Sequence, residues 1–211
     1  MPDSIVFSPP GRGRCACCCR PVAHCLCSLL PDLNPNTALL VIQHPDEQRH
    51  ALNTARLLVA GLRNAQLLVA EQLTAEWCSS LTDPAYRTEL LFPGDGVPVV
   101  AATGADQRPR RLVLLDGTWR KARKLLYLNP VLQALPQVAL PEGLISRYRL
   151  RKAPGPGALS TIEAGMYALQ LIEPDMDFSG LLRPFDELIE GQIRAMGPDV
   201  YLRNHLRPCH D

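Results

Sequence analysis

The chain has 211 residues, 46% of them hydrophobic and 20% charged, with a formal net charge of +1. That composition fits a globular protein with one good-sized domain and a small appendage. It excludes whole-molecule charge as a reason to bind nucleic acid, so any basic surface has to be local.

Residues 1–13, MPDSIVFSPPGRG, read as a flexible leader rich in Pro and Gly. No apolar run follows a basic start, so no signal peptide is expected. No stretch is long enough to span a membrane. The expected location is cytoplasmic, where a reducing environment turns the eight cysteines toward metal binding and away from a disulfide framework.

Residues 14–31 hold six of those cysteines and form a distinct module. Cys15, Cys18, Cys25 and Cys27 give the spacing C-x2-C-x6-C-x-C, and four thiolates suit a tetrahedral structural Zn2+. Cys17, Cys19 and His24 remain alternative ligands on spacing alone. A closed four-thiolate site has no open position, so it points to structure or RNA docking, not catalysis.

From residue 36 to 211 the pattern is α/β. Strands are expected at 37–43, 65–70, 88–94, 97–103, 111–116 and 144–152, and helices at 46–62, 118–128, 160–173 and 182–196. Short apolar strands alternating with helices predict a mainly parallel sheet flanked by helices. In such a sheet ligands bind beyond the carboxyl ends of the strands, and Asp116 is expected at one of them.

Eleven of the 22 Lys and Arg residues fall within 108–124 and 147–152. Arg147, Arg149 and Arg151 would share one face of a strand, with Lys152 beside them, a row suited to tracking phosphates. Arg120, Lys121, Arg123 and Lys124 sit at the start of the 118–128 helix, the end where cations oppose the helix dipole. Gly117 and Thr118 read locally as a turn and an N-cap. The cations and Trp119 suggest in addition a site for an anion or polyanion beside Asp116. Ser160 and Glu163 form a capping box at the 160–173 helix, whose start can still offer amides to a ligand carboxylate.

Asp116-Gly117-Thr118-Trp119 fits a D-x-T-W signature. With the cysteine module, QHPDE (43–47), LLFPG (90–94), YRLRK (148–152) and LSTIEA (159–164) in the same order, the chain resembles the DTW-domain family from Arg14 to about Gln192. The resemblance implies a tRNA-uridine aminocarboxypropyltransferase. Such an enzyme moves the 3-amino-3-carboxypropyl group of S-adenosyl-L-methionine to N3 of a tRNA uridine, in bacteria position 47 of the variable loop, and releases 5′-methylthioadenosine. It also implies a likeness to SPOUT methyltransferases and their C-terminal trefoil knot.

On that resemblance Phe92, Pro93, Gly94, Leu115, Asp116, Gly117, Thr118, Trp119, Ser160, Thr161 and Glu163 are the expected cofactor-binding set. Asp116 is the expected catalytic residue, either as the base for the N3 proton or as the group that orients the amino end of the arm. Trp119 would pack on the cofactor or stack the exposed base. The basic residues would grip tRNA. His44 and Glu47 are weaker candidates. The competing readings are a SPOUT-like RNA methyltransferase and a non-catalytic zinc-containing RNA-binding protein.

Overall fold

The computed structural model describes residues 13–102, 106–150 and 158–202. Arg151, Lys152 and Cys209 lie outside the described residues, as does nearly all of the leader.

The elements run β1 (Ala38–Gln43), α1 (Ala55–Ala60), β2 (Ala65–Val69), α2 (Ala75–Leu81), β3 (Arg87–Leu91) and β4 (Arg110–Asp116). They continue with α3 (Trp119–Leu128), α4 (Pro130–Ala134), β5 (Gln137–Val138), α5 (Thr161–Ile172), α6 (Leu182–Met196) and α7 (Pro198–Tyr201). The five strands form one parallel sheet in the order β2-β1-β4-β3-β5.

Strand chemistry follows from burial on both faces. Alternating β1 side chains divide between two apolar layers. Leu39 and Val41, with Leu112 and Leu114 of β4, face a cluster that includes Leu57 and Leu58 of α1, Ile162 and Leu169 of α5, and Phe185 of α6. Leu40, Ile42 and Val113 face the other side, where Leu81 of α2, Leu125 of α3 and Leu132 of α4 pack. Gly165 sets how closely α5 approaches α1, because a Cβ there would lie 2.5 Å from Leu58 Cδ2. Cys18 and Leu26 of the cysteine segment are buried in the first cluster, so that segment packs on the main domain.

Three expected elements take another form. The 46–62 helix is a short 3-10 turn at Pro45–Glu47 followed by α1 only from Ala55. Asn53 interrupts it: its side-chain oxygen accepts from Arg56 N at 3.2 Å, and its amide donates to the Glu47 carbonyl at 3.2 Å. The 97–103 strand reduces to a single bridge between Val99 and Ala139, next to Pro98, which has no N–H to give a ladder. Residues 144–150 form no strand. The Glu163 carboxylate takes Arg147 N at 2.6 Å, Arg149 N bonds to the Arg147 carbonyl at 2.9 Å, and the chain turns. The row of arginines expected on a strand face is therefore not formed as such. Helices α2, α4 and α7 and strand β5 have no counterpart among the expected elements.

Candidate active site and metal centre

In the strand order, the chain leaves β1 toward β2 on one side and leaves β4 toward β5 on the other. The crevice between β1 and β4 is thus a topological switch point, where open parallel sheets take their ligands. Gln43 and Asp116 are register partners at the carboxyl ends of these two strands. Gln43 is fully buried, and Asp116 is 9% exposed.

Neutral donors hold the Asp116 carboxylate on both oxygens. Gln43 Nε2 donates to Oδ2 at 2.7 Å, and the Thr161 hydroxyl donates to Oδ1. His44 N bonds to the Asp116 carbonyl at 3.0 Å, locking the two strand exits together. Gly117 keeps this junction tight, since a Cβ there would come 3.0 Å from Lys121 Cβ and 3.7 Å from His44 Cβ.

Thr161 reaches Asp116 because α5 begins there. Ser160 caps α5, and the capping box is complete: the Glu163 carboxylate accepts from Ser160 N at 2.8 Å and Ser160 Oγ at 2.6 Å. The same carboxylate accepts from Ser146 Oγ at 2.9 Å and from Arg147 N. Glu163, 1% exposed, therefore ties the 146–147 segment to the start of α5. Its acceptor sites, and the Ser160 hydroxyl, are engaged within the protein. Thr161 is the member of this set whose hydroxyl faces Asp116.

The aromatic side of the site joins the loop after β3 to the start of α3. Phe92, directly after β3, meets Trp119 edge to face with ring centroids 6.0 Å apart. Pro93 and Gly94 follow on an exposed stretch. Thr118 caps α3, its hydroxyl accepting from Lys121 N at 3.4 Å. Leu115 packs into the second apolar layer.

The cations on α3 divide into two sets. Lys121 Nζ lies 2.8 Å from Glu47 and 3.5 Å from Asp46, and Glu47 holds it protonated above the ordinary lysine range. Lys124 Nζ lies 2.6 Å from Glu71 Oε1, which also takes His44 Nε2 at 2.9 Å. Lys124 first, and His44 with it, hold the Glu71 carboxyl below its usual range. These two lysines therefore have acids of their own, so their place at the helix start needs no phosphate to explain it. Arg120 and Arg123 are exposed and, among the described residues, have no acidic partner. Arg147 and Arg149 pair instead with α6, at 2.8 Å from Asp186 and against Glu190 respectively.

Gln43, Glu71 and Asn129 were not singled out in the sequence. Asn129 is buried, donates to the Glu71 and Leu125 carbonyls at 2.9 and 2.7 Å, and accepts from Leu73 N at 2.7 Å. A polar residue closing an otherwise apolar strand was the available signal for Gln43. Glu71 and Asn129 gave none, because Glu71 meets His44 and Lys124, and Asn129 meets Leu73 and Glu71, only in the folded chain.

The candidate metal centre lies in the N-terminal segment. Sγ atoms of Cys15, Cys18, Cys25 and Cys27 all lie within 4.8 Å of one another, with Cys15–Cys27 at 3.5 Å and Cys18–Cys25 at 3.8 Å. Four sulfurs bound tetrahedrally at about 2.3 Å would stand roughly 3.8 Å apart, so the donor set fits one four-coordinate ion. Backbone amides of Cys18 and Cys17 bring the Cys15 thiol down to about 6, while burial pushes Cys27 up. Cys17, Cys19 and His24 stand outside the group. Cys19 Sγ instead accepts from the buried Arg56 guanidinium at 2.8 Å.

A parallel sheet with an anchored carboxylate at its switch point belongs to the class of α/β domains that bind small ligands there. The chain belongs to the DTW domain family, whose model matches residues 12–193. It is 32% identical over 223 residues to tRNA-uridine aminocarboxypropyltransferase 2 of Drosophila melanogaster, covering 97% of this chain and 87% of that protein. Its likeness to the mouse (Mus musculus) protein of the same name is also 32%, over 93% of this chain and 71% of the other. Against tRNA-uridine aminocarboxypropyltransferase A of Arabidopsis thaliana the identity is 33%, over 89% and 83%. No solved structure matches the chain significantly.

Proposed function

We propose that the protein transfers the 3-amino-3-carboxypropyl group of S-adenosyl-L-methionine to N3 of a tRNA uridine, at position 47 of the variable loop. 5′-Methylthioadenosine is released. The observation that carries this reading is the Asp116 carboxylate, held by Gln43 and Thr161 at the switch point of a DTW-family domain. The names of the relatives supply the reaction class.

S-adenosylmethionine supplies an already activated carbon on its sulfonium, so much of the enzyme's task is positioning. Phe92, Pro93, Gly94, Leu115 and the Gly117–Thr118 turn form its binding side, with Trp119 standing between that side and the exposed base and α5 from Ser160 to Glu163 closing over Asp116. Ser160 and Glu163 contribute by fixing α5, and Thr161 by fixing Asp116. Uridine N3 carries a proton that must leave as the N–C bond forms, and Asp116 is its assigned acceptor. The donors from Gln43 and Thr161 fix the orientation of the carboxylate. The same carboxylate therefore also suits holding the ammonium of the arm. The target base has to be exposed to react, and Arg120 and Arg123 lead from the site along α3 toward the RNA backbone. Lys121, Lys124, Arg147 and Arg149 add positive field, and Arg151 and Lys152 belong to the same expected grip.

Zn2+ is the ion assigned to the four-cysteine group, because four thiolates leave no open position and make a structural site. The reaction is placed in the cytoplasm, where cysteines stay reduced. No described helix is long and apolar enough to cross a membrane.

The test is by-product analysis. Protein, S-adenosylmethionine and tRNA should give 5′-methylthioadenosine and a uridine heavier by the aminocarboxypropyl group. S-adenosylhomocysteine alone would mean methyl transfer and end this reading. Metal analysis should find zinc in the wild type and lose it, with a lower melting temperature, in Cys25→Ser; metal-free wild type would refute the zinc centre.

A further inference from the structure

The outer edge of α3 combines bare cations with bare aromatic surface. Trp119, Arg123 and Tyr127 follow one another at four-residue intervals, which on an α-helix places them in line, about 6 Å apart along the axis. Arg120 flanks the same line. Tyr127 is 80% exposed and Trp119 37% exposed, while Ala122 and Leu125 carry the packing of this helix. An aromatic side chain this exposed on a well-packed helix does nothing for the core. The lysines that do have acids, Lys121 and Lys124, lie off the line, toward Glu47 and Glu71. Among the described residues Arg120 and Arg123 are left without acids. The helix begins three residues after Asp116, so the line starts at the site and runs away from it.

We propose that Trp119, Arg123 and Tyr127 form a stacking ladder for unpaired nucleotides next to the modified uridine, with Tyr127 as its outer rung and Arg120 on the backbone. Single-stranded nucleic acid is held in this way by alternating base stacking and phosphate contacts, with guanidinium planes also serving as stacking surfaces. Stacking on a ring requires an unpaired base, so the ladder selects a looped-out segment and disfavours a continuous duplex. It rests on the reading of tRNA as substrate and assigns that substrate's path outward from Asp116.

The test uses Tyr127→Ala, Tyr127→Phe and Arg123→Gln in the full chain. Binding is read by anisotropy on a labelled tRNA transcript and on a short single-stranded oligouridylate, and turnover by methylthioadenosine release. Tyr127→Ala should weaken both RNAs about ten-fold, the scale of one lost base stack. It should raise KM for tRNA and leave kcat within about two-fold. Tyr127→Phe should restore binding, since the ring and not the hydroxyl carries the contact. Arg123→Gln should lower the slope of log affinity against log salt by about one. Wild-type affinity in Tyr127→Ala overturns the ladder, as does a dimer that dissolves in that variant while RNA affinity stays intact. Tyr127-dependent RNA binding with only S-adenosylhomocysteine released keeps the ladder and removes the transfer reaction. Methylthioadenosine release with Tyr127-independent binding does the reverse.

Discussion

The outer edge of α3 and the 144–150 loop look alike as sequence, each a run of closely spaced cations. In the structure they differ in whether those cations are already answered. Arg147 and Arg149 face Asp186 and Glu190 of α6, whereas Arg120 and Arg123 have no acid among the described residues. The difference lies in elements remote along the chain: the acids that meet the loop stand 39 and 41 positions away. Charge density read locally marks both segments as candidates for RNA, and only tertiary contact ranks them. The ranking is one of degree. Both loop pairs are about half exposed, and such pairs contribute about 0–1 kcal/mol, so an arriving phosphate displaces them at small cost.

The comparison breaks most readily at its stronger end. Removing both free cations, Arg120→Gln with Arg123→Gln, should weaken tRNA binding at least ten-fold and reduce the salt slope by about two. A titration over several salt concentrations checks both. Removing the paired cations, Arg147→Gln with Arg149→Gln, should cost about three-fold or less in the same titration. The smallest effect has the opposite sign. Asp186→Asn with Glu190→Gln releases the loop arginines and should tighten tRNA binding by up to about two-fold. If the loop pair of variants lost more affinity than the α3 pair, the ranking would be inverted and the primary grip would belong to the loop.

The parallel sheet was legible because its strands are buried on both faces and therefore read as apolar runs. Asp116 was legible because it closes such a run before a glycine and a capped helix. The capping box of Ser160 and Glu163 was readable from spacing, but its second role was not. Nothing in the sequence near 163 indicates that the carboxylate also captures Ser146 and Arg147, and that capture is what stops 144–150 from being a strand. The alternation of arginine with apolar residues imitated a strand period there without a neighbouring strand to pair with. Strand β5 is two residues long, too short for any periodicity. Gln43 and Thr161, which aim Asp116, come from β1 and α5 and meet it only in the folded sheet. A trefoil knot, as the family resemblance implies, leaves no trace in local pattern at all.

The central claim places the chemistry at Asp116 and the grip elsewhere. The direct test is methylthioadenosine release by Asp116→Asn under saturating S-adenosylmethionine and tRNA, beside tRNA affinity for the same variant. Turnover should fall by at least about 100-fold, the scale of losing a positioned acid–base group, with tRNA affinity within about two-fold of wild type. Undiminished turnover in Asp116→Asn would contradict the account.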